Sequence, residues 1–116
     1  MYYTDKERKI IRPFYKYLSD NKFVEESFLL KWKNGTKISA TFYTEGNDDN
    51  GLEPDDPDYE EYTSFIMDIK EIINFNDEDG INLDEIKKYK AIIISYHNFP
   101  DEIYNSKGEL ISTREN

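Results

Sequence analysis

The stretch Phe28-Leu29-Leu30-Lys31-Trp32-Lys33-Asn34-Gly35-Thr36-Lys37-Ile38-Ser39-Ala40-Thr41-Phe42-Tyr43 falls into two alternating halves around Asn34-Gly35. Phe28, Leu30 and Trp32 alternate with Leu29, Lys31 and Lys33; Thr36, Ile38, Ala40 and Phe42 alternate with Lys37, Ser39, Thr41 and Tyr43. Successive side chains of a strand point to opposite faces, so each half predicts a strand with one buried face. Asn-Gly accepts positive φ at both positions of a two-residue turn, and the pair predicts a β-hairpin closing there.

Upstream, Thr4-Asp5-Lys6-Glu7 fits a capping box, in which a hydroxyl and a carboxylate satisfy free amides at a helix start. Ile10, Ile11, Phe14, Tyr15 and Leu18 continue at three- and four-residue spacing as far as Ser19-Asp20-Asn21. Pro13 lies within that stripe and predicts a kink, or a second helix starting there. Downstream, residues 62–73 fit two patterns. Tyr62, Phe65, Ile66, Ile69, Ile72 and Ile73 have helical spacing, whereas Phe65, Met67 and Ile69 line a strand face. Their β-branched content favours a strand. Asn76-Asp77-Glu78-Asp79-Gly80 reads as a turn, Leu83 to Tyr89 as a short helix, and Ala91 to Tyr96 as a strand. The apolar run in that strand predicts a central position. Ile103-Tyr104 and Leu110-Ile111 flank Asn105-Ser106-Lys107-Gly108 and predict a last hairpin.

The expected fold is α+β. An N-terminal helix packs on a mainly antiparallel sheet of about five to six strands, with a long acidic loop between the second and third. Residues 1–116 are expected to make a single globular domain. Hydrophobic content of 37% beside 34% charged residues is a disorder-like balance, yet ten tyrosines, seven phenylalanines and Trp32 supply the apolar faces of a core. With no cysteine, neither disulfides nor thiolate metal sites are available. Ala91-Ile92-Ile93-Ile94 is the longest aliphatic run, too short for a membrane span, and a cytoplasmic location is expected.

Charge is unevenly spread. Between Lys37 and Lys70 there is no lysine or arginine. Glu45, Asp48, Asp49, Glu53, Asp55, Asp56, Asp58, Glu60 and Glu61 all fall in this interval. Residues 1–37 sum to +4, residues 38–69 to −10 and residues 70–116 to −4, giving the net −10. Such a chain is a poor direct ligand for nucleic acid or an anionic membrane, both of which are bound through Lys and Arg.

Motifs for chemistry are absent. Asn47-Asp48-Asp49-Asn50-Gly51 and Asn76-Asp77-Glu78-Asp79-Gly80 resemble the middle of a calcium-binding loop. Such a loop needs an oxygen ligand at its first position and a bidentate Glu at its twelfth. Gly46 and Pro57 occupy those places in the first stretch, Phe75 and Ile86 in the second. His97 is the only histidine, too few for a closed zinc site. Ser95 and His97 lie two apart with no orienting group marked, so His97 reads as a polar residue at a strand end. No cofactor, metal or catalytic residue is expected. The segment Asp55, Asp56, Asp58, Tyr59, Glu60, Glu61 and Tyr62 combines carboxylates with tyrosines, which supply stiff contact surface at interfaces. It is the candidate binding surface, and a basic protein, such as a nuclease-type toxin, is the expected partner. The expected function is that of a small inhibitory protein masking a basic surface: an immunity or antitoxin protein, or a nucleic-acid decoy. The alternative is a non-catalytic scaffold or self-assembling module with a solvated acidic loop.

Overall fold

The computed structural model describes residues 4–76 and 81–114. Helix α1 (Asp5–Asp20) leads into β1 (Ser27–Lys31), β2 (Lys37–Asp49) and β3 (Glu61–Asn74). Helix α2 (Leu83–Tyr89), β4 (Ala91–Ile94), β5 (Glu102–Tyr104) and β6 (Leu110–Thr113) complete the order. The six strands form one antiparallel sheet in the order β4-β3-β2-β1-β5-β6. The fold is α+β, as expected from the sequence. Among the described residues no helix is long and apolar enough to cross a membrane.

The central hairpin pairs Phe28 with Ala40 and Leu30 with Ile38, the register that the alternation requires. Its turn differs from the expected two-residue form. Gly35 N–H donates to Trp32 C=O at 3.0 Å and Trp32 N–H to Thr36 C=O at 2.9 Å, so the loop has three residues. Gly35 alone carries positive φ, at 100°. Glycine at that place closes a three-residue hairpin with a bulge. The Asn34 side chain is used elsewhere, accepting from Thr36 N–H at 3.0 Å. The β5–β6 hairpin repeats the solution: Gly108 N–H reaches Asn105 C=O at 3.0 Å and Asn105 N–H reaches Glu109 C=O at 2.9 Å.

Residues 62–73 lie in β3, a strand. Their helix-like spacing has a local cause. Ser39 faces Glu71 whereas Ala40 faces Ile69, so Lys70 is an unpaired bulge residue that puts Ile69 and Ile72 three apart. The turn expected at 76–80 lies, beyond Asn76, outside the described residues.

Strand β4 is shorter than expected, ending at Ile94, and it sits at the sheet edge rather than the centre. Its apolar run has two different origins. Ile92 and Ile94 are buried in the core, while Ile93 points to the other face and is 55% exposed. A continuous apolar run therefore did not mean burial on both faces.

Ile10, Ile11, Phe14 and Leu18 of α1 are buried with Phe28, Leu30, Ile38, Ala40, Phe65, Met67, Ile92, Ile94 and Ile103 of the sheet. Helix α1 runs through Pro13 without interruption, so no second helix starts there. Thr4 caps it: the Thr4 hydroxyl accepts from Glu7 N–H at 3.1 Å. The Glu7 carboxylate reaches across to β3, where it accepts from Thr63 N–H at 2.8 Å in a buried position. Replacing Glu7 by alanine strands that amide in the core, and a stability loss of about 2–3 kcal/mol is expected in urea unfolding. Glu7→Gln keeps an acceptor oxygen and is expected to lose less than half as much.

Candidate functional site

Beyond the core, β2 and β3 continue as a two-stranded ladder. Gly46 pairs with Ser64, Asp48 with Tyr62 and Asp49 with Glu61. Glu45, Asp48 and Asp49 are therefore strand residues, and the connecting segment is shorter than the acidic stretch itself, covering residues 50–60. No apolar alternation marks this extension. Backbone pairing carries it, together with carboxylates that accept amide hydrogens. Asp49 Oδ1 accepts from Gly51 N–H at 2.8 Å and Asp56 Oδ1 from Asp58 N–H at 2.8 Å. Asn50 spans the base of the loop: its N–H reaches Glu60 C=O at 3.1 Å and its side-chain amide reaches Asp58 C=O at 2.8 Å. These short side-chain-to-backbone bonds shape the loop as Asx turns.

The foot of the loop is held by contacts that link distant parts of the chain. Glu60 Oε1 accepts from the Tyr96 hydroxyl and lies 3.0 Å from His97 Nε2. Tyr62 packs edge-on against His97, ring centroids 4.6 Å apart, and against Tyr96 at 6.3 Å. The 95–98 turn that presents Tyr96 and His97 is itself fixed. Asn98 Oδ1 accepts from Ser95 N–H at 2.8 Å, and Asn98 C=O accepts from the buried Trp32 indole at 2.8 Å. The Arg114 guanidinium donates to the carbonyls of Phe99, Tyr96 and His97.

Burial, followed by the hydrogen bond to Glu60, pushes the Tyr96 phenol up from 10.0 to about 12. Burial and the nearby carboxylates of Asp48, Glu60 and Asp49 also raise Tyr62. A phenol raised on folding adds stability that is present below pH 10 and lost as pH climbs through the folded value. In a tyrosinate absorbance titration, the fraction ionising last, near pH 12, is expected to disappear in Tyr96→Phe.

The seven residues singled out in the sequence divide into three groups. Asp55 and Asp58 stand exposed at the loop, with Asp56 half-buried between them. Tyr59 and Glu61 pair with each other, hydroxyl to carboxylate at 2.8 Å. Glu60 and Tyr62 turn back onto the 95–98 segment. Sequence reasoning missed Tyr96 as the partner of Glu60, and placed His97 at a strand end without its carboxylate. Only the isolated Ser95-Tyr96-His97 cluster could have signalled either.

Ser95 Oγ lies 3.2 Å from His97 Nδ1, which makes a line of serine, histidine and glutamate. The arrangement resembles a nucleophile with its base, but Ser95 is only 8% exposed and its oxygen accepts from His97 N–H at 3.3 Å. The hydroxyl braces the turn. Among the described residues no group of three or more His, Asp or Glu side chains is placed to hold a metal ion. What the arrangement offers is a rigidly footed, strongly anionic hairpin with aromatic groups at its base.

A family model described as cognate immunity protein YxxD matches residues 7–116. No curated protein and no solved structure matches the chain.

Proposed function

The chain belongs to the YxxD family of cognate immunity proteins, and from that premise we propose that it neutralises its partner toxin by covering a basic surface with the acidic β2–β3 hairpin. Membership of the family supports an immunity role and a toxin partner. The observation that carries the finer reading is the placement of charge. A segment without a single lysine or arginine projects from the sheet as a paired, hydrogen-bonded ladder and loop. Single-sign charge of this kind steers an oppositely charged partner and raises its association rate. A toxin acting on nucleic acid presents such a surface, because it must hold phosphate.

Inhibition on this reading is occlusion without catalysis, and it takes place in the cytoplasm. Asp55, Asp56, Asp58 and Glu61 pair with Arg and Lys of the toxin, and Tyr59 supplies contact area. Glu60 and Tyr62 hold the loop in place from below. The test is protection of cells producing the cognate toxin. Wild-type chain is expected to protect, and Asp55→Asn/Asp56→Asn/Asp58→Asn/Glu61→Gln to fail at equal abundance. Asn at 56 keeps the oxygen that accepts from Asp58 N–H, so the variant removes charge while sparing the turn. Equal protection by the two chains would overturn occlusion by the hairpin.

A further inference from the structure

On the sheet face away from α1, at the base of the hairpin, lies an open cleft of about 490 Å³. Asp48, Asn50, Tyr62, Ile93, His97 and Asn98 line it. The volume falls within the range of small-ligand pockets. Its walls come from three distant parts of the chain, and the 95–98 turn is locked by the hydrogen bonds described above. The cleft is thus preformed, and it is continuous with the acidic ladder through the Asp48–Tyr62 pair.

We propose that this cleft receives an arginine side chain of the cognate toxin, an inference that rests on the hairpin being the toxin-facing surface. The chemistry selects a planar cation. Asp48 supplies the carboxylate; one of its oxygens accepts from Asp49 N–H at 2.8 Å, and the other is directed to no partner among the described residues. The Tyr62 hydroxyl donates to Asp49 C=O at 3.2 Å, which leaves its oxygen lone pairs as acceptors. Ile93, 55% exposed, gives an apolar wall for the methylene stem. The Tyr62 and His97 rings offer aromatic surface on which a guanidinium stacks, and its fork of donors meets several acceptors at once. A lysine ammonium carries the same charge but neither the plane nor the fork.

The test is an NMR titration of the full, isotope-labelled chain with acetyl-Gly-Arg-Gly-amide and, separately, with its lysine counterpart. The arginine peptide is expected to shift Asn50, Tyr62, His97 and Asn98 together in one saturable process. The lysine peptide should bind roughly fivefold more weakly, the factor for about one hydrogen bond of the guanidinium fork that an ammonium cannot match. Asp48→Asn should abolish the binding, and Tyr62→Leu should erase the arginine preference, with core amides and those of residues 53–58 at their wild-type positions in both free variants to show that the fold and the loop persist. If the two peptides equally shift residues 53–58 and leave the cleft untouched, the cleft proposal fails while the acidic surface stands. If neither peptide moves any hairpin resonance, the cleft proposal fails and the anionic-surface reading loses support with it.

Discussion

Replacing Phe14 by alanine is expected to lower the unfolding free energy by about 4 kcal/mol, a large share of what a domain of this size possesses. Phe14 is fully buried at the centre of the α1 stripe. It makes edge-to-face contacts with Phe28 at 5.2 Å, Phe65 at 5.6 Å and Phe99 at 6.2 Å. Those partners come from β1, β3 and the segment that leads from the β4 edge back to β5. The ring therefore joins the helix to three separate parts of the chain. Truncation removes its transfer energy and leaves a cavity that three aromatic neighbours cannot easily close. Urea unfolding should show a lower midpoint with unchanged slope. Phe14→Leu, which fills most of the volume, is expected to lose about 1–1.5 kcal/mol.

The second large effect concerns binding. Neutralising Asp55, Asp56, Asp58 and Glu61 together is expected to weaken the cognate toxin complex about 100-fold, chiefly through slower association. Raising the salt concentration should reproduce much of this loss for the wild type, because exposed charges are screened within about 10 Å at 0.1 M and 3 Å at 1 M. The variant should accordingly show a flatter dependence on salt. Association and dissociation rates measured by surface plasmon resonance at two ionic strengths separate these contributions. Glu60 is best left intact in that experiment. Its carboxylate holds Tyr96 and His97, so replacing it disturbs the foot of the loop as well as its charge.

Much of the architecture is legible in the sequence because it depends on period. Phe28-Leu30-Trp32 and Ile38-Ala40-Phe42 specify the central hairpin, and the stripe from Ile10 to Leu18 specifies α1. Features set by contacts between distant residues are not legible in this way. The bulge at Lys70 gives β3 an apparent helical spacing. The apolar run of β4 looks central, although Ile93 faces outward at an edge. The outer ladder, Gly46–Asp49 against Glu61–Ser64, lacks any alternation, since it is held by main-chain pairing and acidic side chains. The position of the acidic surface follows from a simple count of charges. Its internal division does not, because one carboxylate among 25 acidic residues gives no sign that it meets a tyrosine and a histidine 36 and 37 positions away.

Hydrogen–deuterium exchange of the chain, free and bound to its cognate toxin, locates the surface that the toxin covers. Protection gained on binding is expected across 46–62 and the 95–98 turn. The exposed basic side of α1, with Lys6, Arg8, Arg12 and Lys16, should be unchanged. Protection confined to α1 or to the β5–β6 hairpin, with residues 46–62 exchanging as in the free chain, would contradict occlusion by the acidic surface.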